Sequence, residues 1–279
     1  MNTTEYLSKW AISYKDDIIN NIMPFWMKYG LDREHGGVYT CVNRDGSLMD
    51  TTKSVWFQGR FGFIAAYAYN NIEKNPQWLA ASKSCIDFIE AHCFDTDGHM
   101  FFEVTEDGKP LRKRRYVFSE GFAAIAMAEY ALATGEKEYA KKALDIFKRT
   151  LHFLNTPGFL EPKYLPTLPS RGHSITMILI NTASRIRMVI DDPSLTEQID
   201  TSIAALRKYF IHPEFKALLE MVGPDGEFID TCNGRVINPG HCIETAWFIM
   251  EEAKYRNWDK DLLQLALQIL DWSWEWGWD

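Results

Sequence analysis

The chain has no run of eighteen apolar residues, and its opening, Met1-Asn2-Thr3-Thr4-Glu5-Tyr6, is too polar for a signal peptide. A cytoplasmic protein with no membrane partner is expected. Basic residues are in deficit: 30 Lys and Arg against 38 Asp and Glu leave a formal charge of −8. The one dense basic run is Arg112-Lys113-Arg114-Arg115. Binding nucleic acid takes clustered cations to neutralise phosphates, so that class of partner is set aside. The five cysteines (Cys41, Cys85, Cys93, Cys232, Cys242) are scattered and never form a C-x-x-C pair, which fits a reducing compartment and small buried hydrophobes. There is no nucleotide-binding glycine loop, no zinc-ligand spacing and no Gly-x-Ser-x-Gly elbow, so no metal site is expected.

What the chain does have is helical periodicity. With 279 residues, 46% of them hydrophobic, it can bury roughly three quarters of its unfolded surface without disulfide staples. Apolar residues recur at three- and four-residue steps over 4–29, 54–72, 77–93, 118–134, 137–154, 172–190, 195–210, 242–256 and 260–276. Thr3 or Thr4 is a candidate cap for the first segment, and Pro24 should kink or divide it. Gly135 should close the fourth, and Asp192-Pro193-Ser194 should separate the sixth from the seventh. Short β-prone stretches precede Asp45-Gly46, Asp107-Gly108 and Asp225-Gly226, and each predicts a small hairpin.

The amphipathic pattern repeats with a period of roughly 60 residues, each unit a helix, a loop and a second helix. The first helix of the early units is rich in Gly, Ala and aromatics (Gly59, Gly62, Ala65, Ala66; Gly121, Ala123, Ala124, Ala126), and the second carries more charge. An inner ring of helices enclosed by an outer ring would produce that difference. Six such units need about 360 residues, and this chain supplies about four and a half. The expectation is an all-α toroid of helical hairpins with short β-hairpins, a single domain over 1–279 with its C-terminal hairpins absent.

Chemistry-bearing residues gather at the starts of the inner helices. In Asn238-Pro239-Gly240-His241-Cys242-Ile243-Glu244, a Pro-Gly turn delivers His241 to a helix start, and Glu244 follows on the same face. The helix dipole should lower the His241 pKa and favour a neutral imidazole that accepts a proton; a capping or packing histidine satisfies the same spacing. Arg60 sits within the mostly apolar Ser54–Phe61 stretch, where a buried guanidinium would need a partner: a substrate oxygen, or Glu120 or Glu244 in a structural ion pair. Glu120 opens another inner helix, where an N-terminal charge preference explains it equally well. His173 and Ser174 open a further one, with Met177 behind them, and there the histidine reads most simply as a cap or surface residue. Together with Trp56 and Phe118 these groups would make a pocket of aromatic walls and a few polar groups, which suits a sugar.

At these residues the sequence resembles the N-acylglucosamine 2-epimerase family, which includes cellobiose 2-epimerases and aldose-ketose isomerases. The resemblance runs from His35-Gly36-Gly37-Val38-Tyr39 through Trp56 to Arg60, Phe118 to Phe122, His173 to Asn181 and Asn238 to Trp247. Its most specific segment is Asn-Pro-Gly-His, nearer the acylglucosamine branch than the disaccharide branch. The resemblance implies an (α/α)6 toroid and a sugar 2-epimerase interconverting N-acylglucosamine and N-acylmannosamine. It implies catalytic roles for His241 and Arg60, with Trp56, Glu120, His173, Ser174, Met177 and Glu244 as substrate-binding candidates. It further implies that no cofactor is required, that ATP can serve as an allosteric activator, that a homodimer forms, and that a second catalytic histidine lies in a part of the family's length beyond this chain. Two other readings stay open: an inverting glycoside hydrolase using Glu120 and Glu244, and a sugar-binding fragment without turnover.

Overall fold

The computed structural model describes residues 2–113 and 116–278; Arg114 and Arg115 of the basic run lie outside it. The chain divides into two compact units, Met1–Pro157 and Gly158–Asp279.

The first unit opens with α1 (Thr3–Asp17), a π-turn (Ile18–Ile22) and α2 (Met23–Tyr29). Asn2, not Thr3 or Thr4, caps α1: its side chain accepts from Glu5 N while Glu5 accepts from Asn2 N, a reciprocal capping box. Pro24 has no N–H to donate, and the ladder widens into the π-turn just ahead of it. Two helical hairpins follow, α3 (Val55–Asn71) with α4 (Pro76–His92) and α5 (Phe118–Thr134) with α6 (Lys137–Asn155). The inner and outer characters differ as the composition implied. Every residue of α5 from Ser119 to Ala131 is buried, whereas α6 buries one stripe, including Tyr139, Ala143, Ile146 and Phe147. Helices α3 and α5 pack directly against each other, and glycine sets their separation: a Cβ on Gly59 would lie 2.6 Å from the Phe122 carbonyl carbon. Strands β1 (Cys41–Val42) and β2 (Leu48–Asp50) form the first hairpin; β3 (Lys53–Ser54), β4 (Phe101–Val104) and β5 (Pro110–Lys113) form an antiparallel sheet that contains the second. Lys53 is fully buried, its Nζ bonded to Asp32 Oδ2 at 2.7 Å and to the carbonyls of Gly36 and Glu106, both at 2.8 Å.

The second unit contains β6 (Arg171–Gly172), α7 (His173–Arg187), α8 (Pro193–Ala205), a π-turn (Leu206–Phe210), β7 (Ile211–His212), β8 (Ala217–Leu218), β9 (Met221–Val222), α9 (Pro239–Tyr255) and α10 (Lys260–Trp276). Asp192 caps α8 with Pro193 at its first position, as the Asp-Pro-Ser sequence implied. The third expected hairpin does not form. The turn at Asp225-Gly226 closes locally through Gly223 and Glu227, but the strand residues before it pair elsewhere, β8 with β7 and β9 with β6. Leu218, Leu219, Met221 and Val222 are all buried, β8 packing against α10 and β9 against the π-turn Leu206–Phe210. Among the described residues, no helix is long and apolar enough to cross a membrane.

Candidate active site

Within the second unit three side chains converge. His173 is the first residue of α7, carried there by Gly172, which pairs with Met221. His241 lies in the first turn of α9, where the Asn238 side chain accepts from its backbone N–H at 3.2 Å. Glu220 sits between β8 and β9; its carbonyl accepts from His173 N at 3.1 Å and its N–H donates to Val236 O at 3.2 Å. Because α7 packs on α9, this backbone frame brings the Glu220 carboxylate between the two imidazoles.

The distances assign the hydrogens. Glu220 Oε2 lies 3.0 Å from His241 Nδ1 and 3.6 Å from His173 Nδ1. Burial opposes the charge on Glu220, but the two imidazoles outweigh it and hold the carboxyl at about 2. An ionised carboxylate only accepts, so His241 Nδ1 carries the hydrogen and Nε2 is the basic nitrogen of that ring. His173 is fully buried, its Nε2 2.9 Å from Thr245 Oγ1, and the Thr245 hydroxyl in turn donates to His241 O at 2.8 Å. Thr245 therefore accepts from His173 Nε2–H, and Nδ1 faces Glu220 without a hydrogen-bond partner. Burial lowers the His173 pKa, with the Glu220 charge opposing, so this ring is neutral at ordinary pH. His241 keeps 34% of its side-chain surface exposed, so of the two histidines it is the one open to a substrate.

The sequence-assigned residues fall into place unevenly. His173 is a buried polar residue and not the surface residue or cap that its position implied. The carboxylate hydrogen-bonded to His241 is Glu220, whereas Glu244, which spacing placed on the same face, is half-buried one turn further along α9. Ser174 is half-buried and Met177 is buried one turn inside α7. In the first unit, Trp56 meets Phe102, Phe118 and Phe122 at ring-centroid separations of 5.2, 5.3 and 5.9 Å, and the Arg60 guanidinium lies 4.3 Å over the Phe122 ring. These contacts gather the aromatic rings around Trp56 within the first unit. Arg60 itself is exposed and not buried, so it needs no compensating ion pair. Glu120 is fully buried and accepts from Met100 N at 2.7 Å, with His99 Nδ1 at 2.6 Å; it is neither an end-of-helix surface charge nor a partner for Arg60. Sequence reasoning missed Glu220, Thr245 and His99. Glu220 leaves one signal, as the lone charge in the otherwise apolar run 217–222.

Comparison with known proteins gives a consistent outcome. Residues 37–279 match the sequence profile of N-acylglucosamine 2-epimerase (GlcNAc 2-epimerase). The N-acylglucosamine 2-epimerase of Rattus norvegicus is 28% identical over 270 residues, 94% of this chain and 64% of that protein. That of Homo sapiens is 29% identical over 240 residues, 83% of this chain and 56% of that protein. The chain thus spans about two thirds of the length of the rat relative or less of the human one. The cellobiose 2-epimerase of Bacillus thermoamylovorans superposes with a TM-score of 0.81 at 21% identity, over 94% of this chain and 71% of that one. The shared fold is the all-α one of (α/α)6 barrels, built from helical hairpins with short strands.

Proposed function

Because the chain belongs to the N-acylglucosamine 2-epimerase family, we propose that it serves a sugar 2-epimerase reaction, interconverting N-acylglucosamine and N-acylmannosamine at carbon 2. The observation that carries this reading is the pairing of Glu220 with His241 of the first turn of α9, a partly exposed imidazole whose basic Nε2 is set by a half-buried carboxylate. The substrate enters as the open-chain aldehyde. His241 Nε2 takes the carbon-2 proton, the C–H electron pair moves into the C1 carbonyl as an enolate, solvent or a second acid gives a proton to the opposite face as the carbonyl re-forms, and the His241 imidazolium returns its proton to solvent. The imidazolium made in the first step is stabilised by the Glu220 anion; the His173 backbone N–H holds the Glu220 backbone, and Thr245 ties the His173 ring to the α9 backbone. His173 is too buried to meet a sugar and is a positioning residue. The steps balance without an added oxidant, reductant or group carrier.

Arg60 is proposed to act on substrate oxygens, with Trp56 and its aromatic neighbours against the sugar's C–H faces. A single toroid domain over 1–279, a homodimer, ATP activation and a cytoplasmic location belong to the same proposal, and the steps above use none of them. The glycoside hydrolase alternative loses ground, because Glu120 is spent on His99 and Met100.

The test is carbon-2 hydrogen exchange in D2O, followed by NMR on N-acetylglucosamine. His241→Ala should lower exchange by about a hundred- to ten-thousand-fold, the range a positioned base contributes. Full exchange by His241→Ala would remove His241 from the reaction, and release of reducing sugar from an oligosaccharide without epimerisation would favour the hydrolase. Arg60→Ala should slow exchange while Arg60→Lys retains more of it.

A further inference from the structure

We propose that His173, Glu220 and His241 form a binding site for one divalent transition-metal ion of the zinc class, and that occupancy switches off the proton transfer at His241. The second half of this proposal rests on His241 acting as the base; the first half does not.

The donor set is two imidazoles and one carboxylate, whose ligand atoms all lie within 4.8 Å of one another. A tetrahedral zinc ion with bonds of about 2.0–2.1 Å separates its ligand atoms by roughly 3.3 Å. The two separations to Glu220 Oε2, 3.0 and 3.6 Å, straddle that value, and the two imidazole nitrogens, within 4.8 Å of each other, would close on the ion by side-chain rotation. The strongest pointer is His173 Nδ1: fully buried, without a hydrogen-bond partner, and directed at another acceptor, Glu220 Oε2. A fully buried lone pair facing the oxygen of a half-buried carboxylate is poorly matched to it, and the two are well matched to a cation between them.

The surroundings fit as well. A ligating histidine usually gives its other ring N–H to an oxygen, and His173 Nε2–H goes to Thr245 Oγ1. Glu220 is fixed through its backbone to His173 and Val236, and His241 through Asn238. The partial exposure of Glu220 and His241 supplies an entry path and room for a fourth ligand from solvent. Imidazole-rich donors with one carboxylate suit zinc, cobalt, nickel or copper and discriminate against magnesium and calcium. Such a site leaves no local sequence signature, because its ligands come from three separate chain segments.

Occupancy has a defined chemical consequence. A metal on His241 Nδ1 needs the lone pair there, so the ring's one hydrogen, now on Nδ1 and shared with Glu220, moves by way of solvent to Nε2 with no net proton released. The neutral ring holds that hydrogen on Nε2, which then has no lone pair for the carbon-2 proton. Metal and substrate turnover therefore exclude each other.

The experiment is a cobalt(II) titration of the full chain after chelator treatment, read by the visible absorption of four-coordinate cobalt, then displacement by zinc. One equivalent should bind to the wild type. Glu220→Gln and His241→Ala should each weaken binding by at least about tenfold, while His35→Ala, which removes an imidazole from the other unit, should bind as the wild type does. Circular dichroism of each variant separates lost ligation from lost folding, and the partly exposed His241 makes His241→Ala the more secure of the two. No saturable cobalt band, or a band unchanged in both variants, overturns the site. Zinc should inhibit carbon-2 exchange with the midpoint at which it displaces cobalt; bound zinc with undiminished exchange overturns the switch. A chain that exchanges no carbon-2 hydrogen before metal is added counts against the epimerase reading, and the cobalt titration still decides the site.

Discussion

Replacing Glu220 by glutamine keeps the side chain's size and removes its charge, which isolates what the carboxylate does for His241. In the structure it accepts one hydrogen bond from His241 Nδ1 at 3.0 Å and stands 3.6 Å from a second imidazole. A hydrogen bond to a charged group contributes about 1.5–3 kcal/mol. That bond strengthens as His241 becomes an imidazolium, so most of its worth is expressed in the transition state. At about 1.4 kcal/mol per decade of rate, Glu220→Gln should lower kcat by about 10- to 150-fold. The amide turned with its oxygen toward Nδ1–H keeps a neutral hydrogen bond and gives the low end; turned the other way it reverses the His241 tautomer and gives the high end. Carbon-2 exchange in D2O across a pH series measures this. The acid limb of the profile should move to lower pH, because an imidazolium without its anion is harder to form. A Glu220→Gln rate within threefold of wild type, with an unmoved acid limb, would refute the assignment of Glu220 as the partner of the base.

Three further outcomes follow from particular contacts. Asp32→Ala leaves the Lys53 ammonium fully buried without its carboxylate and should cost about 3–5 kcal/mol in urea unfolding, whereas Asp32→Ala combined with Lys53→Met, which removes both charges, should cost less than the single change. Gly59→Ala brings a methyl to 2.6 Å from the Phe122 carbonyl carbon and should destabilise by about 1–3 kcal/mol, outweighing the roughly 1 kcal/mol that alanine gains in helix propensity. Acid should unfold the chain partly through this site: Glu220 titrates at about 2 when folded against an ordinary 4.5, so its contribution is complete above about pH 4.5 and lost as pH falls toward 2. His173, whose folded pKa is lowered, adds in the same direction below its ordinary 6.5, because the unfolded ring takes the proton first. Urea midpoints should therefore fall on acidification, and Glu220→Gln should flatten the lower part of that fall.

Local signals carried most of the architecture. Helix positions followed apolar spacing, and Gly135 ends α5 in the left-handed conformation that spacing and glycine together implied. Arg60 shows where that method stops. The exposed face of α3 carries Phe57 and Ile64 at 44% and 49% exposure, so the one charged residue between them looked buried when it was not. The site was half legible for a related reason. His173 and His241 announced themselves at helix starts, but Glu220 reaches them only because β9 pairs with β6 and β8 with β7. The first of these joins Arg171 to Val222, a contact distant in sequence that periodicity does not encode. Glu120 had the opposite fate: its place at a helix start was legible, and His99, the neighbour that claims it, was not.

The pairing of Gly172 with Met221 also orders events in time. Helices α7 and α9 form from local contacts, but the acid between them arrives only after a long loop has closed and two short strands have found each other. On dilution from denaturant, far-ultraviolet ellipticity should recover first and turnover should lag behind it, with an interval of nearly complete helix and no working base.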